Sequence, residues 1–286
     1  MNELALYKPA VVVAALAVLW TLESIAPEFI DRRRRLSHNA HNLALGLLNA
    51  GLLSVVFATA LVASAEWSAV AGFGLLHRLD APAWVEWPMA IILFDLWMYG
   101  WHVANHKVPL LWRFHSVHHS DAELDASSAV RFHTGEIVLS ATARLAVLPL
   151  LGMTPVQLLV YEMILQPIIL FHHSNVRVAA GLDRVLRCVI VTPWMHWVHH
   201  SRYQPETDSN YSSVFSWWDR LFRSFRLRED PSAIRLGLDG YGPREWRRLD
   251  GMLLSPFRQR RDDTTGEDGP GRAGNCTPEG QWHSEL

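Results

Sequence analysis

Residues 137–171 read IVLSATARLAVLPLLGMTPVQLLVYEMILQPIILF, and this stretch decides the fold. Two apolar runs, at residues 137–151 and 156–171, are separated by Gly152-Met153-Thr154-Pro155, which has the composition of a tight turn. The pattern predicts a helical hairpin whose two arms enter a membrane from one side and return to it. The segments before and after the hairpin are therefore expected on the same membrane face.

An arginine and a glutamate interrupt the two arms at matching distances from the turn. Arg144 lies eight residues before Gly152, and Glu162 lies eight residues after Thr154. A charge inside a membrane is costly unless it is paired or hydrated. We predict that the two side chains approach each other or share a polar network. The alternative is that each one snorkels or faces a cavity separately.

Three earlier apolar runs, at residues 9–25, 43–65 and 89–101, are also predicted to cross the membrane. Half of the 286 residues are hydrophobic, 19% are charged and 13 are tryptophan, which favours a membrane protein over a water-soluble one. The first run lacks the basic start and small-residue cleavage site of a signal peptide, so we expect it to remain attached.

The sequence Asp31-Arg32-Arg33-Arg34-Arg35, between the first two runs, predicts the orientation of the chain. Short arginine-rich loops remain on the cytoplasmic side, although a simple solvated linker is the alternative. The segments that flank the hairpin would then be cytoplasmic. Four later arginines would meet an anionic membrane surface there: Arg220, Arg223, Arg226 and Arg228.

Histidines occur in four clusters at the predicted cytoplasmic ends of these helices. Imidazole is the commonest side-chain ligand of transition metals, so its repeated short spacings predict one metal centre built from several segments. A single ion takes about four to six ligands, so nine or so candidates predict two metals. The clusters are His102 and His106; His115, His118 and His119; His172 and His173; and His196, His199 and His200.

Several histidines are weaker candidates for metal ligands. Only one of His172 and His173 is expected to reach a metal, because neighbouring side chains on a helix point about 100° apart. His133 is either a ligand or a hydrogen-bond partner of a ligand. Three histidines stand apart from the clusters and are expected to be interfacial or solvated: His38, His41 and His77.

Polar residues near the clusters are candidates to orient the imidazoles. Asp95 and Tyr99 share a helix face with His102 and His106, at a deeper level. The residues that follow the last cluster could instead cap a polar loop. The full set of candidates is Asp95, Tyr99, His133, Asn175, Asp208 and Asn210.

Composition argues against several other functions. The net charge of -2 and the lack of a glycine-rich phosphate loop or dinucleotide fingerprint argue against nucleic-acid and nucleotide binding. The two cysteines, Cys188 and Cys276, form no Cys-x-x-Cys pair, so a disulfide framework or a thiolate metal site has little support.

Two alternatives to an enzyme remain open. A haem-type electron carrier would have histidines that face each other across the spans, rather than tight clusters at helix ends. A membrane metal transporter would have ligands and carboxylates near the bilayer midplane.

As an ordered set, the histidine motifs resemble the fatty acid hydroxylase and sterol desaturase superfamily. The resemblance runs from about residue 23 to residue 225 and includes Arg131-Phe132-His133 and Asp208-Ser-Asn-Tyr211 followed by Trp218-Asp-Arg-Leu-Phe222. The histidine motifs are His102-x-x-x-His106, His115-x-x-His-His119, Phe171-His-His-Ser-Asn175 and His196-x-x-His-His200.

This resemblance implies a di-iron enzyme that uses O2 to hydroxylate or desaturate a C-H bond of a membrane lipid. It implies two iron ions, although zinc or another divalent metal can occupy such a site in purified protein. An external electron donor is also implied, a ferredoxin or a cytochrome b5-like protein with its reductase, because no haem or flavin domain is evident. The implied ligands are His102, His106, His115, His118, His119, His173, His196, His199 and His200.

The predicted fold is an all-α integral membrane helical bundle of three spanning helices plus a helical hairpin, with a cytosolic histidine-rich metal-binding cap. We expect residues 1–87 to form the N-terminal transmembrane helices and residues 88–230 the histidine-box oxygenase domain. Residues 231–261 would be a cytosolic segment. Residues 262–286 are rich in Gly, Pro, Asp and Glu, which predicts a disordered tail.

Overall fold

The computed structural model describes residues 2–29, 35–239 and 247–258, which are mostly helical. The arginines at 32–34 and the predicted tail at 262–286 lie outside these ranges. Only isolated β-bridges accompany the helices in the described part. The helices are α1 (Asn2–Ile25), α2 (Arg35–Leu52), α3 (Ala58–Ala71), α4 (Ala83–Lys107), α5 (Pro109–His119), α6 (Thr134–Leu151), α7 (Pro155–His173), α8 (Ala180–Leu186), α9 (Pro193–His199), α10 (Gln204–Thr207), α11 (Trp217–Leu221) and α12 (Leu249–Arg258).

The predicted hairpin is confirmed as α6 and α7. Helix α6 ends at Gly152, whose φ of 77° is the left-handed conformation that glycine adopts without strain. Thr154 then caps α7 through a reciprocal pair of hydrogen bonds with Gln157, and Pro155 occupies the first turn, where its missing N–H costs nothing. The turn residues therefore end one arm and start the next.

Four helical stretches of the described chain are long and apolar enough to cross a membrane: Tyr7–Ile25, Arg35–Arg78, Thr134–Leu151 and Pro155–His173. This confirms a helical membrane protein. The third predicted run, at 89–101, lies within α4, which is not one of the four. Helix α4 contains two acidic residues, Glu86 and the buried Asp95. The number of spans and the cytoplasmic face remain predictions.

Helices α2 and α3 are joined by a π-helical turn, Leu53–Phe57, into one nearly continuous helix from Arg35 to Ala71. Its length is about 55 Å, well above the roughly 30 Å hydrocarbon core of a bilayer. Part of this helix must therefore extend beyond the membrane.

This extension accounts for the burial of one histidine that was predicted to be interfacial or solvated. His38, expected to be interfacial or solvated, is largely buried, with Nε2 2.9 Å from Asp121 Oδ1 and Nδ1 3.3 Å from Asp125 Oδ2. That prediction was wrong because the first turns of α2 pack against the polypeptide around the histidine clusters. His41 bonds the carbonyl of its own helix, and His77 lies beside the hairpin turn.

The predicted pairing of charges within the hairpin is confirmed. Arg144 Nη1 lies 3.5 Å from Glu162 Oε1, and Lys8 Nζ of α1 lies 2.6 Å from Glu162 Oε2. The Arg144 guanidinium also lies 5.7 Å from the ring centroid of Trp97 on α4. A glutamate that is costly alone in a membrane is thus shared by two cations, and this contact joins α1 to the hairpin.

A tight turn after α3 packs on the tip of the hairpin and leads to a first prediction. Gly74 has a φ of 115°, and a Cβ there would lie 2.4 Å from the amide nitrogen of Gly152 and 2.5 Å from the carbonyl oxygen of Pro149. Gly74→Ala should lower the stability of the protein by about 2 kcal/mol or more. Thermal unfolding of the purified protein in detergent measures the loss.

The matched control is Gly51→Ala, because that glycine lies in α2 with open space around it. This substitution should be neutral or slightly stabilising, since alanine favours a helix over glycine by about 1 kcal/mol. Equal unfolding temperatures for the two variants would show that the turn does not need the close approach.

Candidate metal centre

The predicted ligands come from four helix ends that meet at one end of the bundle. Helix ends suit this role because side chains at i, i+3 and i+4 share a face and can point together into one space. The last turn of α4 carries His102 and His106. Helix α5 carries His115, His118 and His119, helix α7 carries His173, and the turn of α9 carries His196, His199 and His200.

The nine histidines form two groups. Within each group, the possible ligand atoms all lie within 4.8 Å of one another. The five-histidine group contains His102, His106, His115, His119 and His199. The four-histidine group contains His118, His173, His196 and His200.

Each histidine doublet is divided between the two groups. The rings of His118 and His119 are nearly perpendicular, at 87°, with centroids 5.5 Å apart. The rings of His199 and His200 also lie at 87°, with centroids 5.3 Å apart. Neighbouring side chains on a helix diverge, so each doublet supplies one imidazole to each group. The geometry suits two adjacent ions.

Hydrogen bonds fix which nitrogen of several imidazoles is free. A carbonyl oxygen or an ionised carboxylate only accepts, so the Nδ1 atom that faces it carries the proton and the Nε2 atom keeps its lone pair. In the five-histidine group, three such Nε2 atoms are buried without a hydrogen-bond partner in the described chain. The Nδ1 contacts are His102 to the Tyr211 carbonyl at 2.7 Å, His199 to the Ser209 carbonyl at 2.6 Å, and His115 to Glu136 Oε1 at 2.9 Å.

In the four-histidine group the Nε2 atoms point at one another. His173 Nε2 lies 3.0 Å from that of His118 and 2.9 Å from that of His196, which in turn lies 3.1 Å from that of His200. Because His173 Nδ1 donates to the Ile169 carbonyl at 2.8 Å, its Nε2 atom is an acceptor. With one lone pair, His173 Nε2 can accept a hydrogen bond from only one of its two neighbours, so hydrogen bonds alone do not pair all four nitrogens and this donor set fits a bound metal.

Burial keeps several of the clustered imidazoles neutral. It lowers the pKa of His119 and His200 well below 6.5, and repulsion between neighbouring imidazoles lowers it further. Burial also lowers the pKa of His199 to about 3. A neutral imidazole is the form that binds a metal, so protons compete weakly for these nitrogens near neutral pH.

His172 belongs to neither group. It is buried, and its ring centroid lies 4.0 Å from that of His196, so it covers one face of a candidate ligand. Of the adjacent pair, only His173 points into a group.

Asp208 is the predicted orienting residue that lies closest to a grouped histidine. Its Oδ1 atom is 3.5 Å from Nδ1 of His106, and its Oδ2 atom is 2.9 Å from Nζ of Lys107. The hydroxyl of Tyr211 also donates to Asp208 Oδ1, at 3.3 Å. Asp208 is therefore within reach of the five-histidine group.

Asp95 and Tyr99 do not bond an imidazole, contrary to expectation. Asp95 accepts hydrogen bonds from the Tyr161 hydroxyl at 2.7 Å and the Trp218 indole at 2.8 Å. Tyr99 shares a hydrogen bond of 2.8 Å with the hydroxyl of Ser224. Both side chains instead attach the segment after the last histidine cluster to α4, because that segment packs along the helix.

The side chains of the two candidate asparagines form hydrogen bonds with backbone groups. Asn175 accepts from the amide of Phe29 at 2.8 Å and donates to its carbonyl at 2.9 Å, which ties the end of the third cluster to the end of α1. Asn210, with a φ of 51°, donates to the carbonyls of Met195 and Arg226. Neither amide faces a grouped imidazole.

His133 also lies outside both groups. Its Nδ1 atom accepts from the amide of Gly135 at 2.9 Å, which caps α6, and its Nε2 atom donates to the carbonyl of Leu253 on α12 at 3.1 Å. With both nitrogens engaged in this way, it is placed neither to bind a metal nor to contact a grouped histidine.

Two acidic residues of the site were missed from sequence. Glu136 orients His115, and the available signal was its position three residues after the quoted Arg131-Phe132-His133 motif. Asp219, in the quoted Trp-Asp pair, accepts from the amide of Tyr211 at 2.7 Å. It thereby positions the Tyr211 carbonyl that faces His102.

Comparisons with known proteins agree with this geometry. Residues 87–224 match the fatty acid hydroxylase family model. The ornithine lipid hydroxylase of Rhizobium tropici is 30% identical over 54% of this chain and 48% of its own length. Alkylglycerol monooxygenase of Homo sapiens is 30% identical over 53% and 32%, and its cholesterol 25-hydroxylase is 25% identical over 50% and 52%. No solved structure matches the chain.

The resemblance of the histidine motifs to the fatty acid hydroxylase superfamily is therefore confirmed, with residues 87–224 matching the family model. The match spans about a third to a half of the length of these curated relatives.

A second prediction concerns Glu136. Glu136→Ala removes the acceptor of the His115 Nδ1 proton, and the imidazole is then free to turn or to change tautomer. Metal affinity at the five-histidine group should fall about 10- to 100-fold, with Glu136→Gln in between because its carbonyl still accepts. Metal content after titration with a chelator measures this. The control is Glu123→Gln, whose partner Arg247 is half exposed; equal metal retention in all three variants would contradict the orienting role.

A third prediction follows from the lowered pKa values. An unfolded histidine takes up a proton near pH 6.5, whereas the folded, metal-free chain keeps these imidazoles neutral. Between the lowered values and about pH 6.5, the unfolded state binds more protons, so stability falls as pH falls. Each such histidine contributes up to about 1.4 kcal/mol per pH unit. The unfolding temperature of chelator-treated protein should drop steeply from pH 7 to pH 5; a flat profile would argue against neutral imidazoles.

Proposed function

We propose that this chain is a di-iron, O2-dependent hydroxylase of a membrane lipid. The observation that carries the proposal is the pair of histidine groups with converging nitrogens, joined by two divided doublets. The family of residues 87–224 supports it. So do the relatives, whose names describe hydroxylation or monooxygenation of an ornithine lipid, an alkylglycerol and cholesterol.

In this proposal the two histidine groups bind one iron ion each. Bound iron would supply the dioxygen activation that an unactivated C-H bond requires. The protein holds the imidazoles in the correct tautomers through backbone carbonyls and Glu136, and it excludes water by burying them. Asp208 would orient His106 and link it to Lys107. The remaining polar candidates would hold the backbone around the cage: Asp95, Tyr99, His133, Asn175 and Asn210.

Hydroxylation is favoured over desaturation because the three relatives are named hydroxylases or monooxygenases. In the balanced reaction, one oxygen atom of O2 enters the C-H bond and the other leaves as water. The reaction consumes two electrons and two protons. We assign the electrons to an external ferredoxin or cytochrome b5-like protein with its reductase.

A membrane lipid fits the position of the cage. The grouped histidines lie at helix ends, and one of these helices, α7, is a candidate span, so an apolar tail could lie among the helices while its reacting carbon meets the cage. We place this end on the cytoplasmic side because of the arginines between the first two predicted spans. A reductant would then approach from the cytoplasm.

The experiment compares the lipids of cells that express the wild-type chain, His118→Ala or His41→Ala. His118 is a proposed ligand, whereas His41 is half-buried and bonds only the carbonyl of its own helix. Cells with the wild-type chain or His41→Ala should accumulate a lipid heavier by one oxygen atom by mass spectrometry. His118→Ala should abolish it.

Metal analysis of the purified chains supplies the second measurement. The wild-type protein should bind two iron ions and consume O2 with the lipid and a reduced donor, whereas His118→Ala should bind less iron. Iron binding without an oxygenated product, or the same product from His118→Ala, would overturn the proposal.

A further inference from the structure

Two short helices beyond the third histidine cluster are held side by side. The amide of Ser216 donates to the carbonyl of Val189 at 3.1 Å, and its hydroxyl donates to the carbonyl of Arg187 at 2.6 Å. An isolated bridge joins Ile190 to Phe215. The segments that flank helices α8 and α11 thus hold them in one unit, and we call the exposed apolar side chains of this unit the α8–α11 surface. This surface consists of Leu182, Val185, Val189, Trp217, Leu221 and Phe222.

A buried carboxylate sets the depth of this unit. Asp95 accepts from the amide of Phe215 at 3.1 Å, from the indole of Trp218 at 2.8 Å and from the hydroxyl of Tyr161 at 2.7 Å. Tyr161 lies twelve residues before His173, at the end of α7, which is about 18 Å along the helix axis. Because α7 is a candidate span, this contact attaches α11 to the side of a membrane-crossing helix, at that distance from the histidine end of α7.

The α8–α11 surface is apolar and uncovered. Val185 is 67% exposed, Leu221 65% and Phe222 51%, and the other members are exposed as well. Exposed apolar side chains of this kind are unfavourable in water and favourable against lipid chains. The position at which α11 is attached along α7 therefore agrees with the apolar character of the α8–α11 surface.

The charged residues of the unit also differ in burial, with the carboxylates inside and two guanidinium groups outside. Asp183 is buried and paired with Arg187, and Asp219 is buried and bonded to backbone amides. The exposed guanidinium groups of Arg184 and Arg223 have no hydrogen-bond or ion-pair partner within the described ranges. Both carboxylates of this unit thus point inward, while unpaired arginines remain outside, beside the apolar face.

We propose that the α8–α11 surface is inserted into the bilayer leaflet nearest the histidine cage, with Arg184 and Arg223 at the phosphates of anionic lipids. The apolar side chains would lie among the acyl chains just below the headgroups. Arginine suits this position because its long stem lies along apolar surface while its guanidinium binds phosphate oxygens. The inference concerns membrane placement and does not depend on the reaction of the cage.

Cys188 provides a probe for this inference because it is exposed within the unit. In the full chain with Cys276→Ser, Cys188 is labelled with an environment-sensitive fluorophore, and the protein is reconstituted into phosphatidylcholine and phosphatidylserine nanodiscs. We expect blue-shifted emission that is quenched most strongly by a lipid with a nitroxide high on its acyl chain. Water-like emission without quenching would overturn the insertion.

The control label is placed by Ala233→Cys in a chain with Cys188→Ser and Cys276→Ser. Ala233 is exposed, and its neighbour Ile234 packs with Trp197, whose indole bonds the Ser174 carbonyl just beyond the end of α7. This label should emit as in water and resist the acyl-chain quencher. Equally strong quenching at both positions would contradict the proposal, because insertion would then not be specific to the α8–α11 surface.

The arginines are tested with nitroxide-labelled phosphatidylserine against nitroxide-labelled phosphatidylcholine at equal mole fraction. Attraction of an anionic lipid by two arginines should make the phosphatidylserine probe quench Cys188 at least about twofold more strongly. The double variant Arg184→Gln and Arg223→Gln should remove this preference, whereas Arg258→Gln on α12 should keep it. Equal quenching by both probes in the wild-type chain would refute the headgroup contact, and unchanged elution and metal content would show that the variants are folded.

Discussion

Convergence of imidazole nitrogens is the constraint on which the metal centre depends. Imidazoles from three helix ends bring four Nε2 atoms to about 3 Å from their neighbours, more nitrogens than hydrogen bonds among them can pair, and a cation makes such an arrangement favourable. Across the two groups, four rings are held at Nδ1 by the surrounding protein. Carbonyls of Ile169, Ser209 and Tyr211 hold the Nδ1 protons, and Glu136 does the same for His115. Backbone carbonyls therefore supply most of the hydrogen bonds that orient these imidazoles, as groups next to metal ligands commonly do.

The N-terminal helices belong to this support. Glu23 is buried at the end of α1 and accepts from the amides of Ala126 and Asn175, close to the second and third histidine clusters. Arg131, fully buried, donates to the carbonyl of Val117 and to the side chain of Asn42 on α2. Residues outside the 87–224 match thus fix the positions of residues inside it. Membrane anchoring describes only part of what α1 and α2 do.

Periodicity and spacing were sufficient for the hairpin, for the Arg144–Glu162 pair and for the sets of histidines that come together. These features depend on local pattern and on the cost of a lone charge in lipid, both of which can be read from the sequence. The partners of Asp95 and the burial of His38 could not be predicted. Each depends on contacts between segments far apart in the chain, and no local pattern specifies which polar group will face which. Glu136 is intermediate, since the motif was recognised but its partner was not.

Because each histidine doublet is divided between the two groups, the two proposed metal positions depend on the same helix ends. In the proposed di-iron centre, helices α5 and α9 would each supply imidazoles to both ions. A change that displaces either helix end would then alter both positions together, so the occupancies of the two positions would be linked.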